Sequence, residues 1–300
     1  MTKILVVIDP EETKHSALDR IREIPTSADV QFKVDYYIQP EPTSAELAST
    51  YMQEILDKKA WLNMLIKPYR DLGYDIEGDV QVFERLHEAI VQSALKYKAD
   101  FLFKPLRKHG VLQRTLFTAT DWNLVRFCPC PLLLVNHSNS LAGHPVVAAV
   151  DLASKDKAHF DLNQVVLAQT KILADLLSSD IHLAHAYNTT ALPSGNAATD
   201  PLAYQINKGR RDEQFDRAYK LADSSAVPRQ NVHLGEGTAD RVVNKCASEI
   251  EAGIIVVGTV ARSGFNGLFI GNTAESLMEH ARSDVFVVKQ EGFESPIKAA

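Results

Sequence analysis

One pattern occurs twice in this chain and limits its folds more than any other feature: a short apolar run that ends in an aspartate. Residues 3–9 and residues 145–151 both have this form, and they end at Asp9 and Asp151. Three more pairs of similar segments follow in the same order: 99–104 with 252–257, 120–126 with 273–279, and 132–135 with 285–288. Internal similarity of this kind indicates a tandem duplication. We predict two domains, residues 1–138 and 143–290, with the boundary in the polar segment 136–140.

Within each half, apolar strands alternate with segments whose apolar residues recur at helical spacing. In the first half the predicted strands are 3–9, 30–38, 79–83, 101–104 and 132–135, and the helices are 13–24, 44–72, 86–97 and 119–127. The second half repeats this order, and residues 290–300 are predicted to be a frayed tail. The apolar side of the longest helix is assigned to Leu47, Tyr51, Ile55, Leu56 and Leu65. Alternating strands and helices with right-handed crossovers predict an α/β fold, with a five-stranded parallel sheet in each half in the order 3-2-1-4-5.

The composition limits the binding partners and the cellular location that can be expected. The net charge is −6, the pI is about 5.9, and no block rich in lysine or arginine occurs, so neither nucleic acid nor a membrane is an expected partner. No apolar run approaches the ~18 residues of a membrane span, and the N-terminus lacks the longer apolar region of a signal peptide. A cytoplasmic location is expected.

The three cysteines, Cys128, Cys130 and Cys246, are an odd number and do not indicate a disulfide framework. The first two flank Pro129 and invite a redox or metal interpretation, but their spacing is not Cys-x-x-Cys and no second ligand pair completes a zinc site. Reduced, structural thiols are the favoured interpretation. No metal site is predicted at His182 and His185 either, because no carboxylate lies at ligand spacing.

The strongest indication of a ligand site is the stretch in which four branched apolar residues, 254–257, run into Gly258. A glycine-rich loop follows, and Gly271, Asn272 and Thr273 open the next helix. Free backbone N–H groups and the positive helix end favour an anion there. In the predicted strand order, Asp151 ends the first strand and Gly258 ends the neighbouring fourth strand, where the order reverses. A carboxylate at that position can accept hydrogen bonds from a ribose hydroxyl or an adenine amino group, so the arrangement predicts a nucleotide site.

The residues alone leave a purely structural interpretation open. Asp151 can cap the following helix, and the glycines can serve a tight loop. In the first half, Pro105, Lys108 and Thr118 stand at the positions of Gly258, Ala261 and Gly271, and proline has removed an N–H donor. The first half is therefore predicted not to bind a triphosphate. Its loop is basic, and a solvated loop is favoured over an anion site; the residues concerned are Arg107, Lys108, His109 and Arg114.

Three segments, 117–122, 258–264 and 269–275, give the chain a resemblance to tandem universal stress proteins that extends over essentially its whole length. The resemblance implies two Rossmann-like domains of the adenine-nucleotide-alpha-hydrolase type. Nucleotide-binding members carry Gly-x-x-Gly-x9-Gly followed by Ser or Thr, and this pattern falls on Gly258, Ala261, Gly271 and Asn272, with Thr273 next. Asp151 takes the place of the family's adenine- or ribose-side aspartate. Ala261 and Asn272 depart from the pattern, and the family contains both ATP binders and non-binders.

The resemblance also implies dimers joined through the last strand of each domain. In a tandem chain, residues 132–135 and 285–288 are expected to pair antiparallel, giving an intramolecular pseudo-dimer; association into a further homodimer stays open. No catalytic constellation is recognised. We expect a non-enzymatic, cytoplasmic stress-response protein with a regulatory or binding role. The alternatives are an ATP-binding sensor that uses the second domain, with slow hydrolysis, and a carrier of a small apolar ligand.

Overall fold

A computed structural model of the chain describes residues 1–9, 12, 14–40, 45–109, 114–115, 117–136, 140–154, 157–187, 201–259, 262–264 and 267–299. The chain divides into two compact units. The first comprises residues 1–142, 263–268 and 292–300, and the second comprises residues 143–262 and 269–291. The predicted tail therefore does not fray throughout, because residues 292–300 belong to the first unit and Ser295 is buried.

The first half of the chain alternates strands and helices as predicted. Its elements are β1 (Thr2–Ile8), α1 (Ser16–Asp19), a 3-10 turn (Arg20–Glu23), β2 (Val30–Ile38), α2 (Ala45–Asp71), β3 (Asp75–Val82), α3 (Leu86–Tyr97), β4 (Phe101–Pro105), β5 (Lys108–His109), β6 (Arg114–Thr115), α4 (Ala119–Phe127) and β7 (Leu132–Val135). The sheet has the order β3-β2-β1-β4-β7, and its neighbouring strands are parallel. This is the predicted order 3-2-1-4-5.

The second half repeats the arrangement. Its elements are β8 (Val146–Ala149), α5 (Lys157–Leu177), β9 (Ile181–Tyr187), α6 (Pro201–Ser224), a 3-10 turn (Arg229–Asn231), β10 (Val232–Glu236), α7 (Ala239–Glu249), β11 (Ile254–Thr259), β12 (Arg262–Gly264), β13 (Gly267–Phe269), α8 (Asn272–His280) and β14 (Asp284–Lys289). The order β10-β9-β8-β11-β14 is again parallel throughout. None of the helices in the described ranges is long and apolar enough to cross a membrane.

The central strands are buried on both faces, as expected for parallel strands between two layers of helices. In β1 the consecutive residues Ile4, Leu5 and Val6 have no exposed surface, and in β11 the same holds for Ile255 and Val256. Consecutive residues of a strand point to opposite faces, so both faces must be covered. The carboxyl ends of the strands are thereby held in a fixed layer from which the loops project.

The apolar side predicted for α2 is wrong in part. Leu56 is 53% exposed, whereas Leu62, Ile66 and Tyr69 are buried. The buried side is set by β3, where Gly78 has no side chain and leaves room for Leu62 and Ile66. A Cβ at Gly78 would lie 3.0 Å from atoms of both residues. Because this packing depends on both α2 and β3, the spacing of apolar residues within α2 alone does not predict it.

Two loops predicted to be irregular contain short strand pairs. β5 pairs antiparallel with β6, and β12 pairs with β13 in a two-stranded sheet. The first pair lies after β4 and the second after β11, so each follows the fourth strand of its half. The predicted helix 13–24 is also shorter than expected: α1 ends at Asp19 and continues as the 3-10 turn.

Candidate functional site

The candidate site lies where the strand order of the second unit reverses. β8 and β11 are neighbours, and Ala149 lies opposite Val257. Continuing this register places Val150 beside Gly258 and Asp151 beside Thr259. The topology therefore brings the carboxyl ends of both strands together, as the predicted nucleotide site requires.

Asp151 combines an exposed carboxylate with a structural role. Its Oδ1 accepts hydrogen bonds from the backbone N–H groups of Ala153 at 3.0 Å and Ser154 at 3.3 Å. Its Oδ2 lies 3.1 Å from Nδ1 of His159, in the first turn of α5, and the side chain is 47% exposed. The carboxylate thus closes its own turn and still faces solvent, where a ligand can reach it.

Three residues from three different elements fix the loop that carries Asp151. None of the three was predicted from the sequence to have this role. The buried Asn163 of α5 donates to the Asp151 carbonyl at 2.7 Å and accepts from the Asp151 N–H at 3.0 Å. The buried His185 of β9 places Nδ1 3.0 Å from the Val150 carbonyl. Burial is the main cause that lowers the pKa of His185. Arg217 of α6 donates to the Leu152 carbonyl at 3.0 Å. No local pattern marks such residues, because only folding brings them to one loop.

Gly258 lies within β11 and its missing side chain faces α5. A Cβ there would lie 2.8 Å from Leu162 Cγ and 2.9 Å from Val166 Cγ2. The glycine is therefore required for close packing of α5 on β11. The sequence assigned Gly258 to ligand binding, with a structural role as the alternative, and these contacts favour packing.

Gly271, Asn272 and Thr273 stand at the N-terminus of α8, and all three are exposed. Gly271 is the N-cap, and among the described residues no side chain accepts a hydrogen bond at this cap. No described heavy atom outside the neighbouring residues lies within 4 Å of a Cβ built on Gly271. Backbone N–H groups of the first helical turn are thereby open to an anion. Ala261, which was predicted to belong to the same site, lies outside the described residues.

The corresponding helix of the first unit is closed by its own side chains. Thr118 is the N-cap of α4, and its hydroxyl oxygen accepts from the Asp121 N–H at 3.2 Å. The Asp121 carboxylate accepts from both the N–H and the hydroxyl of Thr118, each at 2.7 Å. Lys104, at the end of β4, places its ammonium 2.8 Å from the same carboxylate, and both residues are buried. Asp121 therefore occupies the place that an anionic ligand would need.

The first-strand aspartate of the first unit is also engaged. Arg107 donates to the Asp9 carboxylate from Nε at 2.7 Å and from a terminal nitrogen at 3.4 Å, and Asp9 is only 6% exposed. The basic loop was interpreted as solvated, but Arg107 instead forms an ion pair. Both aspartates are thus engaged inside the first unit, Asp9 by Arg107 and Asp121 by Lys104. That this half does not bind a triphosphate stays a prediction.

In the second unit the positions that correspond to Lys104, Thr118 and Asp121 are Val257, Gly271 and Ala274. Val257 and Ala274 are buried and apolar. Residues without charge thus replace the ion pair, and glycine replaces the capping hydroxyl. The same backbone arrangement carries a closed helix N-terminus in one unit and an open one in the other.

A pair of histidines lies elsewhere in the second unit. Nδ1 of His182 on β9 is 2.8 Å from Nε2 of His233 on β10, and the rings stack with their planes 10° apart. Burial is the main cause that lowers the pKa of both histidines. Within the described residues, His182 and His233 belong to no group of three or more histidine, cysteine or acidic side chains that could hold a metal ion.

This chain is similar to known proteins over nearly its whole length. The model of the universal stress protein family matches residues 1–136 and again residues 144–289. Universal stress protein E of Photorhabdus laumondii is 31% identical over an alignment of 310 positions, which covers 99% of this chain and 98% of that protein. Universal stress protein E of Escherichia coli K12 is 30% identical over 312 aligned positions, which cover 98% of this chain and 96% of that protein.

Solved structures agree on the fold. A functionally unknown protein from Pseudomonas aeruginosa PAO1 has a TM-score of 0.76 at 25% identity, covering 97% of this chain and 93% of its own. A universal stress protein from Archaeoglobus fulgidus has a TM-score of 0.64 at 16% identity, covering 96% and 98%. The predicted α/β, Rossmann-like fold is confirmed. With its family model matched in both halves, this chain belongs to the universal stress protein family.

Proposed function

We propose that this chain is a non-enzymatic, cytoplasmic stress-response protein that acts as a binding module, and that its second domain takes the ligand. The observation that carries the proposal is the contrast between two helix N-termini. Gly271 leaves the start of α8 exposed, without a described side-chain cap, whereas Thr118 and Asp121 close the start of α4. Open N–H groups at a helix start favour a negatively charged group.

An adenine nucleotide is the ligand class that these residues suit best. The exposed carboxylate of Asp151 provides an acceptor for a ribose hydroxyl or an adenine amino group, and the start of α8 provides donors for phosphate. A helix N-terminus stabilises an anion by roughly 0.3–1 kcal/mol at the surface and by up to about 2 kcal/mol when part-buried. Ala261 and Asn272 also depart from the pattern of the family's ATP binders. We therefore propose weak ATP binding, far from the tightness of a permanently bound cofactor.

The proposal is tested by isothermal titration calorimetry with ATP and magnesium on the full chain, together with analysis of nucleotide released from the purified protein. Gly271→Thr installs the hydroxyl cap that Thr118 supplies in the first domain. The hydroxyl oxygen then competes with phosphate for the N–H groups of the first turn, so ATP binding should weaken. The matched control is Thr118→Gly, which opens the corresponding helix of the domain in which Asp121 and Lys104 remain paired. It should leave ATP binding in the second domain unchanged.

The opposite result would contradict the site assignment. If Gly271→Thr binds ATP as the unmodified chain does, the start of α8 is not the phosphate site. If neither protein binds ATP, the nucleotide proposal fails and a regulatory role without nucleotide stands. If the unmodified chain releases inorganic phosphate from ATP and Asp151→Asn abolishes this release, the non-enzymatic part of the proposal is contradicted. A small apolar molecule extracted from the purified protein by organic solvent would instead support a carrier.

Pairing of the two domains through Leu132–Val135 and residues 285–288 stays a prediction, which rests on the resemblance to family members that pair through their last strands. A tandem chain that satisfies this pairing internally should be monomeric. Size-exclusion chromatography with light scattering should then give a mass near 33.2 kDa. A mass of twice this value would show a further homodimer.

A further inference from the structure

Two of the three cysteine thiols lie together at the end of α4. The sulfur atoms of Cys128 and Cys130 are 3.8 Å apart, so that one thiol can donate a hydrogen bond to the other. Cys128 is the C-cap of α4, and its N–H donates to the Leu124 carbonyl at 2.9 Å. Cys128 has no exposed surface, whereas Cys130 is 9% exposed. Spacing in the sequence favoured structural thiols, but this juxtaposition brings the two sulfurs to within reach of a shared reaction.

The second unit shows that the turn itself does not require thiols. Ala281 and Ser283 stand at the corresponding positions, separated by Arg282. Ala281 is the C-cap of α8 with φ −65° and ψ 134°, close to the φ −59° and ψ 130° of Cys128. Ser283 donates to the Ala252 carbonyl at 2.6 Å. The same backbone conformation is thus built with a methyl group and a hydroxyl, and the paired thiols of the first unit are an addition to it.

Cys246 provides an internal comparison. It lies in an apolar cluster of the second unit with Val243, Ala247 and Ile255. Burial raises its pKa to about 11. The thiolate is the reactive form of cysteine, and little of it is present at neutral pH when the pKa is so high. Cys246 is therefore expected to be inert under conditions in which a reactive pair is oxidised.

We propose that Cys128 and Cys130 form a reversible dithiol–disulfide pair that is oxidised by hydrogen peroxide. Cys130 is the more accessible of the two, so its sulfur attacks the peroxide. An S–O bond forms, the O–O bond breaks, and one water molecule leaves. The Cys128 sulfur then attacks the sulfenic sulfur of Cys130; the S–S bond forms, the S–O bond breaks, and a second water molecule leaves. The two thiols lose two electrons and two protons in total, and the peroxide accepts both.

The geometry also predicts that the disulfide is readily reduced. The sulfurs must approach from 3.8 Å to about 2.05 Å, and a ring that spans only Pro129 leaves little freedom to reach ideal disulfide geometry. Disulfides held away from ideal geometry are more easily reduced. The closed loop is also very short, so the bond gains little stability from restricting the unfolded chain. These properties suit a pair that cycles, and they do not suit a permanent crosslink.

The test is a thiol count on the full chain before and after hydrogen peroxide, with alkylation under denaturing conditions and mass spectrometry of tryptic peptides. The chain has three cysteines. We expect the count to fall from three to one and Cys246 to remain alkylated. The peptide that begins at Phe127 should carry no alkyl group and should be two hydrogen atoms lighter than its unalkylated dithiol form. Dithiothreitol should restore the count to three.

The variant Cys128→Ala/Cys130→Ser gives the first unit the side chains of Ala281 and Ser283, so it should fold, and its single thiol should survive peroxide unchanged. Circular dichroism and size-exclusion chromatography check the fold. The proposal is overturned if peroxide adds oxygen to either cysteine without forming the bond between them, or if both thiols persist in the folded chain. A link between chains on a non-reducing gel in place of the internal bond would also overturn it. None of these results depends on ATP binding, so they are independent of the function proposed for the second domain.

Discussion

Replacement of Gly258 by alanine tests how the candidate site is built. An added Cβ would lie 2.8 Å from Leu162 Cγ and 2.9 Å from both Leu162 Cδ2 and Val166 Cγ2. Ordinary van der Waals contact begins at 3.4 Å, so the new methyl group is 0.6 Å too close to Leu162 Cγ (3.4 − 2.8). Leu162 is 8% exposed and Val166 is 1% exposed, so neither side chain can turn into solvent. Helix α5 must move away from β11, or the side chains must leave their preferred rotamers.

Overpacking of a filled core costs typically about 1–3 kcal/mol. Alanine also restricts the unfolded chain more than glycine does, which offsets at most about 1 kcal/mol of that cost. All three contacts lie below 3.0 Å, so we place the cost in the upper half of that range and expect Gly258→Ala to lower the free energy of unfolding by about 1–2 kcal/mol. For a chain of this size the midpoint of thermal unfolding should fall by roughly 2–8 °C.

Urea unfolding followed by far-UV circular dichroism, together with differential scanning calorimetry, measures both quantities. The matched control is Gly209→Ala in α6, where no described heavy atom beyond the helix's own backbone lies within 4 Å of the added Cβ. Glycine within a helix costs roughly 0.5–1 kcal/mol relative to alanine, so this variant should be more stable than the unmodified chain. If Gly258→Ala is as stable as the unmodified chain while Gly209→Ala behaves as expected, the packing argument is refuted. Gly258 would then have to be explained by a ligand.

Two further predictions concern caps and pH. Thr118→Ala removes the hydroxyl cap of α4 and should lower the free energy of unfolding, measured in urea, by about 0.5–2 kcal/mol. Gly271→Thr adds a cap to α8 and should raise the free energy of unfolding by a few tenths of a kcal/mol. Equal effects of the two variants would contradict the difference between the two caps. Burial lowers the pKa of His182 and His233, so the unfolded chain binds more protons than the folded chain below about pH 6.5. Their contribution to stability is therefore complete above that pH and is lost as the pH falls. Glutamine at both positions should flatten the dependence of the free energy of unfolding, measured in urea, on pH between about pH 7 and pH 5. An unchanged slope in the double variant would refute this origin.

The sequence by itself determined the duplication, the order of strands and helices, the parallel sheet and the family. These properties depend on local patterns. An apolar run of four to seven residues next to a helical periodicity identifies a strand–helix unit, and the repeat of the units identifies two domains. The aspartates that follow β1 and β8, and the position of Gly271 at the start of a helix, also follow from positions along the chain. Topology then brings the carboxyl ends of β8 and β11 to one edge, because the strand order follows from the crossovers.

Only the tertiary structure decided which of these residues are engaged, because the partners lie far apart in the chain. Arg107 reaches Asp9 across 98 positions, and Lys104 of β4 forms its ion pair with Asp121 of α4. Gly258 was predicted to approach a ligand, but Leu162 packs into the space that a side chain on Gly258 would occupy. Close packing between a strand and a helix depends on where two surfaces meet, and neither segment encodes that meeting point alone. For this reason the sequence located the two corresponding loops, and the contacts within each fold showed that one is closed and the other open.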